Sequence, residues 1–227
     1  DLDDDDDGQC DADTQAGSGS IADDTDCDGI LNIDEDYGGP LIILTSSDAS
    51  DFCTEGYSIV DSLTINAITT DPIDLSCLTE ITGDLTIEDA SAVSVDLSNV
   101  VSIDGAVSIH SNTSLGTVTL NALTTVGRYL WINSNEDLSS IDLSSLTAIS
   151  EELSFSNNQL FTHLDCPNLI TLGGAFELSD TNVEVVSMPS LQELNDFNTE
   201  IWWWNNINWS LTEIDFSGVT TIGRFYF

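Results

Sequence analysis

Asp24, Asp26, Asp28, Gly29, Asn32 and Glu35 stand at positions 1, 3, 5, 6, 9 and 12 of the pattern D-x-D-x-D-G-x5-E. That is the spacing of a calcium loop. Ca²⁺ takes about six to eight hard oxygens, alternate side chains of a tight loop converge on one point, and a glycine at the sixth position permits the turn. Ile30 would add its backbone carbonyl. Asp3, Asp5, Asp7 and Gly8 repeat the opening of the same loop, with Asp11 ninth and Thr14 where the closing acid should stand. This weaker loop would borrow Asp13. The expected cofactor is therefore Ca²⁺. The competing reading of residues 1–36 is a solvated acidic linker, which would not need the glycines and the alternation together.

Gly and Ser precede the second loop and Tyr37-Gly38-Gly39-Pro40 follows it, which argues against helical flanks. Cys10 and Cys27 fall one in each acidic half. A disulfide between them would hold the two loops together. The whole chain has 227 residues, 41 Asp plus Glu and only 2 Lys plus Arg, for a net charge of -39. A nucleic-acid binder must neutralise phosphates with Lys and Arg, so that class is excluded, and anionic membrane surfaces with it. The longest strongly apolar run, residues 41–44, is far short of a bilayer span of about 20 residues. No direct membrane insertion is expected. With 41% apolar residues the chain can bury a core, and its self-repulsion would be relieved by salt or bound Ca²⁺, conditions found outside the cell. The first residue is Asp1, without a basic and apolar leader, so the chain reads as a piece of a longer exported protein.

Beyond residue 53 the sequence repeats every 22 to 23 residues. One triplet recurs as Leu63-Thr64-Ile65, Leu85-Thr86-Ile87, Val107-Ser108-Ile109, Leu130-Trp131-Ile132, Leu153-Ser154-Phe155 and Phe176-Glu177-Leu178. A second recurs from Ile73-Asp74-Leu75 to Ile214-Asp215-Phe216. Alternation with no helical stripe predicts an all-β fold, a β-solenoid of about seven coils in which inward apolar ladders form a shared core. Asn112, Asn135, Asn158 and Asn206 recur near one corner, where buried amides can satisfy backbone groups left over by a turn. Three segments follow: 1–36 calcium-binding, 37–52 linker and N-terminal cap, 53–227 solenoid.

Phrases such as Leu123-Thr-Thr-Val-Gly127 before Leu130-Trp-Ile132, with Asn135 and Leu138 after, resemble the receptor L-domain type of leucine-rich repeat. Cys53-Thr54-Glu55-Gly56 ahead of Leu63 is similar to the opening cysteine segment of those domains. The resemblance implies a right-handed β-helical fold on a cell surface and names no ligand. Residues 1–36 resemble the thrombospondin type 3 repeats of extracellular proteins, which implies Ca²⁺ wrapped in loops with little regular structure. Cys53 and Cys77, about one coil apart, are expected to form a cap disulfide, and Cys166 to be a buried free thiol.

The expected partner contacts are aromatic. An insertion at residues 199–210 breaks the period and carries Trp202, Trp203, Trp204 and Trp209, while Trp131 stands at an outward position of its triplet. These rings could meet a protein or glycan, or the insertion could fold over the core. Asp74, Asp96, Asp142, Asp165 and Asp215 should line the outside of the second strand, either neutralised by cations or tolerated as a screened surface. Catalysis is not expected. His110 and His163 lie about two coils apart, no nucleophile is near either, and only Arg128 and Arg224 could act as a lyase base. A Thr column at 79, 124, 147 and 220 is interrupted by Val101, Ile170 and Gln192, which argues against ice or mineral binding. The expected function is calcium-binding adhesion or recognition at a cell surface, through a protein or glycan partner. The alternative is a self-assembling subunit of a filament, sheath or surface layer, whose partners are copies of itself.

Overall fold

In a computed structural model of the chain, residues 39–198 and 210–226 are described. They form a parallel β-solenoid of about six turns with one short helix. Each turn is a triangle. Its first side is a nine-stranded sheet running from Pro40–Ile43 to Thr221–Tyr226, and its third is a six-stranded sheet of two-residue strands from Ile59–Val60 to Thr171–Leu172. The second side is divided into a four-stranded sheet ending at Ser140–Asp142 and a three-stranded one starting at His163–Asp165. Every pairing is parallel, as stacking of like coils requires.

The register follows the apolar periodicity. Leu63 pairs with Leu85, Leu85 with Val107, Val107 with Leu130, Leu130 with Leu153 and Leu153 with Phe176. Each is fully buried, as are Ile65, Ile87, Ile109, Ile132, Phe155 and Leu178 two positions on. A one-residue slip would turn both ladders outward, so burial locks the register. Phe155 and Phe161 stack with centroids 5.2 Å apart in the coil where the second side is interrupted. Both rings are buried, in the coil after Ile132 and Leu138.

Corners set the coil's shape. Val126 and Leu130, inward on the third and first sides, are four positions apart, and Gly127 turns the chain between them. A Cβ on Gly127 would run into the backbone of Asp104 in the coil below, whose neighbour Ile103 accepts the Gly127 amide at 2.8 Å. In the later coils Leu194 and Phe197 are three positions apart, and the corner straightens into the continuous strand Glu193–Asn198. Another corner is held by side chains. Asp89, Ser111, Ser134, Asn157 and Asp180 adopt positive φ between 48° and 59°. The residue after each points inward, and three of these are Asn112, Asn135 and Asn158, all fully buried. Asn135 donates from Nδ2 to the Ile109 carbonyl at 3.0 Å and to Asn158 Oδ1 at 3.1 Å, and its Oδ1 accepts from Asn112 Nδ2 at 2.8 Å. The ladder satisfies the carbonyls that the turn strands from the sheet. Asn112 opens an N-x-S sequence, yet its burial leaves no room for a glycan. Asn206 lies outside the described residues.

The helix Ser46–Glu55 covers the first coil. Thr45 caps it by accepting the Asp48 amide, and Asp48 in return accepts from the Thr45 amide at 2.8 Å. Gly56, at φ 94°, ends it in a conformation that a β-carbon would strain. Its buried residues Ala49 and Phe52 close the end of the core, and Phe52 stacks on Tyr57 at 5.9 Å. Cys53 is disulfide-bonded to Cys77, which ties the helix to the corner after Ile73–Asp74. Cys166 is free and fully buried, and burial pushes its thiol up to about 12.

Candidate functional site

The calcium-loop residues Asp3, Asp5, Asp7, Asp11, Asp13, Asp24, Asp26, Asp28, Ile30, Asn32 and Glu35 lie outside the described residues, as do Cys10 and Cys27. So do Trp202, Trp203, Trp204 and Trp209. Trp131 is described, and it marks the densest chemistry on the solenoid exterior. Alternation in the strand Leu130–Asn133 puts Leu130 and Ile132 in the core, so Trp131 must face out. It sits on the middle strand of the nine, half-buried, with Ser108 and Ser154 in register on either side.

Tyr129 emerges from the same side just before the strand begins. The two rings stack at 4.0 Å with an interplanar angle of 23°. The Arg128 guanidinium lies over the outer ring, 5.3 Å from the Tyr129 centroid, and its Nε is 3.7 Å from Glu151. One coil on, Glu152 approaches the indole, and Glu177 stands a strand farther along, in register with Ser154. Burial, and then the charge of Glu177, push the Glu152 carboxyl above its ordinary value, and the Trp131 indole N–H partly opposes this. That N–H is shielded from solvent and makes no hydrogen bond of good geometry. Stacked aromatic faces on a rigid sheet can receive a cation or a polyol.

A raised carboxyl favours its neutral form in the fold. Its contribution to stability is full below the ordinary value of 4.5 and is lost as pH rises through the higher folded value. Glu152→Gln should therefore melt at the wild-type temperature below about pH 4 and above it at pH 7. Thermal denaturation across that range checks this; parallel curves for the two proteins would contradict it. Asp74 behaves oppositely: the Ser76 amide holds its carboxyl below the usual range.

The other marked residues serve the frame. Asp74, Asp96, Asp142 and Asp215 each accept from the amide two residues on, at 2.9 to 3.0 Å, so the acidic column of the second side is a series of turns. Thr79, Thr124, Thr147 and Thr220 donate their hydroxyls to carbonyls of the preceding coil. His110 is 3.4 Å from Glu88 on the first side, whereas His163 sits on the second beside Thr162. Arg128 is engaged by Tyr129 and Glu151. Among the described residues no group of three metal-ligating side chains occurs, and no helix is long and apolar enough to cross a membrane. Tyr129, Glu152 and Glu177 were not foreseen as a group with Trp131. Their signal was a Tyr-x-Trp alternation in one coil and glutamates at the outward positions of the next two.

The architecture defines a disulfide-bonded parallel β-solenoid with an aromatic and acidic ledge on its widest sheet. No protein family, curated protein or solved structure matches the chain.

Proposed function

We propose that this chain is an extracellular calcium-binding recognition module without catalytic activity. Calcium loops of the thrombospondin type 3 kind would stiffen its first 36 residues. A leucine-rich solenoid of the receptor L-domain kind would present the first side to a protein or glycan on a cell surface. The observation that carries this reading is the Tyr129–Trp131 pair, stacked at 4.0 Å on the outside of the nine-stranded sheet with the Glu152 carboxyl beside it. A rigid sheet offers such rings at little entropic cost, and Tyr and Trp are preferred at interfaces. The disulfide and the charge of -39 fit an oxidising, cation-rich medium.

A second reading is a self-assembling subunit of a filament, sheath or surface layer. Ile222, in the last described coil, is 52% exposed where the equivalent Leu194 is fully covered, and in this reading a second copy covers it. Sedimentation and electron microscopy of the purified chain, with and without millimolar Ca²⁺, separate the two. Recognition expects monodisperse particles, Ca²⁺-dependent protection of residues 1–36 from protease, and loss of that protection in Glu35→Gln. Ordered Ca²⁺-dependent polymers would replace it with assembly.

A further inference from the structure

Resting on the calcium-loop reading above, we propose that residues 35–37 of this chain turn back at Gly38-Gly39 and pair antiparallel with the open edge of the strand Pro40–Ile43, which ties Ca²⁺ bound at Glu35 to the solenoid. Successive residues of a strand aim their backbone groups at opposite edges. The Ile43 carbonyl accepts the Asn66 amide at 3.0 Å, so Leu41 and Ile43 face the next coil. The Ile42 N–H and C=O therefore face the other way, together with the Pro40 carbonyl. Among the described residues no strand pairs with that edge. Farther along, Asp48 Oδ2 takes the Leu44 and Thr45 amides at 2.9 and 2.8 Å, which closes the open stretch after Ile43. Side chains mark the same end. Ile42 is 59% exposed and Ile68, whose amide is bonded to the Leu44 carbonyl, is 72% exposed.

The occupant nearest to hand is the chain that leads into the strand. Gly38 and Gly39 stand directly before Pro40, and a glycine pair between two extended segments is a hairpin signal. A two-residue turn there sets Tyr37 opposite Pro40, Asp36 opposite Leu41 and Glu35 opposite Ile42. The Tyr37 amide then donates to the Pro40 carbonyl, the Glu35 amide to the Ile42 carbonyl and the Ile42 amide to the Glu35 carbonyl. Each open group of the edge is used, and Pro40, lacking an N–H, withholds only the bond beside the turn. Tyr37 falls on the outward face with Ile42, and Ile33 falls opposite Leu44, next to Ile68. Of the hairpin turns, type II′ asks for positive φ at its first residue alone. That residue is Gly38; among the described glycines only Gly56 has positive φ, so Gly39 already fits the second place. A second copy or a partner would lose the freedom of a separate molecule on binding this edge, whereas residues 35–37 are tethered beside it. Charge brings in Ca²⁺. Asp34, Glu35 and Asp36 would approach Asp48, whose carboxyl the Leu44 amide holds below the usual range, and a cation at Glu35 offsets that repulsion.

The test is amide hydrogen exchange and NMR of the full isotope-labelled chain, with and without millimolar Ca²⁺. With Ca²⁺ the Ile42 amide should exchange at least about tenfold more slowly than without it, and the Asp36 and Leu41 α-protons, facing each other in a non-hydrogen-bonded pair, should show a mutual Overhauser effect. Gly38→Val should return the Ile42 amide to the free rate, because a β-branched residue resists the positive φ of the turn, while the Leu63 and Leu85 amides keep their protection. Gly39→Ala should leave Ile42 protected, since a Cβ there meets nothing within 4 Å. Free exchange at Ile42 with Ca²⁺ present would overturn the proposal. So would protection that rises with protein concentration, the mark of a second copy on the edge, or protection that survives Gly38→Val without the Asp36–Leu41 contact, the mark of another occupant. Ca²⁺-dependent protease resistance of residues 1–36 with a freely exchanging Ile42 would sink the docked strand and leave the calcium reading standing. Protection of Ile42 that ignores Ca²⁺, with no change in protease resistance, would overturn the tie to Ca²⁺ and the calcium reading together.

Discussion

Asn135→Leu should lower the unfolding free energy by about 4 kcal/mol, the largest effect expected of any single polar residue in the described core. The leucine nearly matches asparagine in size, so no large cavity forms and the cost is one of hydrogen bonds. Asn135 makes two from Nδ2, to the Ile109 carbonyl and Asn158 Oδ1, and its Oδ1 takes two from Asn112. Removing the amide strands the Ile109 carbonyl and both Asn112 donors away from water, since Asn112 and Asn158 are fully buried. Each buried group left unpaired costs roughly 1–3 kcal/mol, and partial relaxation brings the sum near 4. Urea unfolding followed by circular dichroism measures it, with an unchanged slope expected because the surface exposed on unfolding is the same. Asn135→Asp separates chemistry from shape. At neutral pH its second oxygen would face the Ile109 carbonyl and Asn158 Oδ1 with no proton to share, so it should fold no better than the leucine variant. A loss below about 1 kcal/mol in Asn135→Leu would mean that water replaces the ladder.

The coils were legible because one physical demand, alternate residues facing a shared interior, writes itself on the sequence at every turn. Leu63, Leu85, Val107, Leu130, Leu153 and Phe176 align by inspection and pair in that register. The buried asparagines were legible for the same reason. The helix escaped because it has no repeat to expose it. The helix Ser46–Glu55 occurs once and buries only Ala49 and Phe52, too few for a helical stripe, although Thr45 and Asp48 already spelled its capping box. Asp74, Asp96, Asp142 and Asp215 were read as an outward charge column. Their hydrogen bonds show a turn, and the signal was Ser at the second position after each: Ser76, Ser98, Ser144 and Ser217. The ledge was half legible. Trp131 follows from alternation, but the approach of Tyr129 and Glu152 depends on how the corner after Gly127 delivers the chain, and one coil's spacing does not encode that.

Replacing both Cys53 and Cys77 by serine should cost about 3 kcal/mol and should loosen one end of the solenoid first. The bridge closes a loop of 24 residues in sequence separation, which runs from the last turn of the helix through the strands Ile59–Val60 and Ser62–Ile65 to the first strand of the second side. Without it the unfolded chain regains the freedom of that loop. The native state loses the tie between the helix and the corner after Asp74. Phe52 and Ala49 are the helix's only buried residues, so their packing must then hold ten residues of helix on the core unaided. Strand Pro40–Ile43 depends on the same end, being paired among the described residues on one edge only, with Ser62–Ile65. Hydrogen exchange reads the result residue by residue. Amides of residues 40–55 should lose protection ahead of the central coils, while the Trp131 strand, with neighbours on both edges, should keep its own until global unfolding. Cys166 supplies an internal control, because its burial and raised thiol should leave it unalkylated in the folded variant and reactive only when the core opens. Unchanged exchange over 40–55 would show that the helix holds by packing alone. Early alkylation of Cys166 would show instead that the bridge supports the whole stack of coils, since Cys166 lies inward far along the solenoid from Cys77.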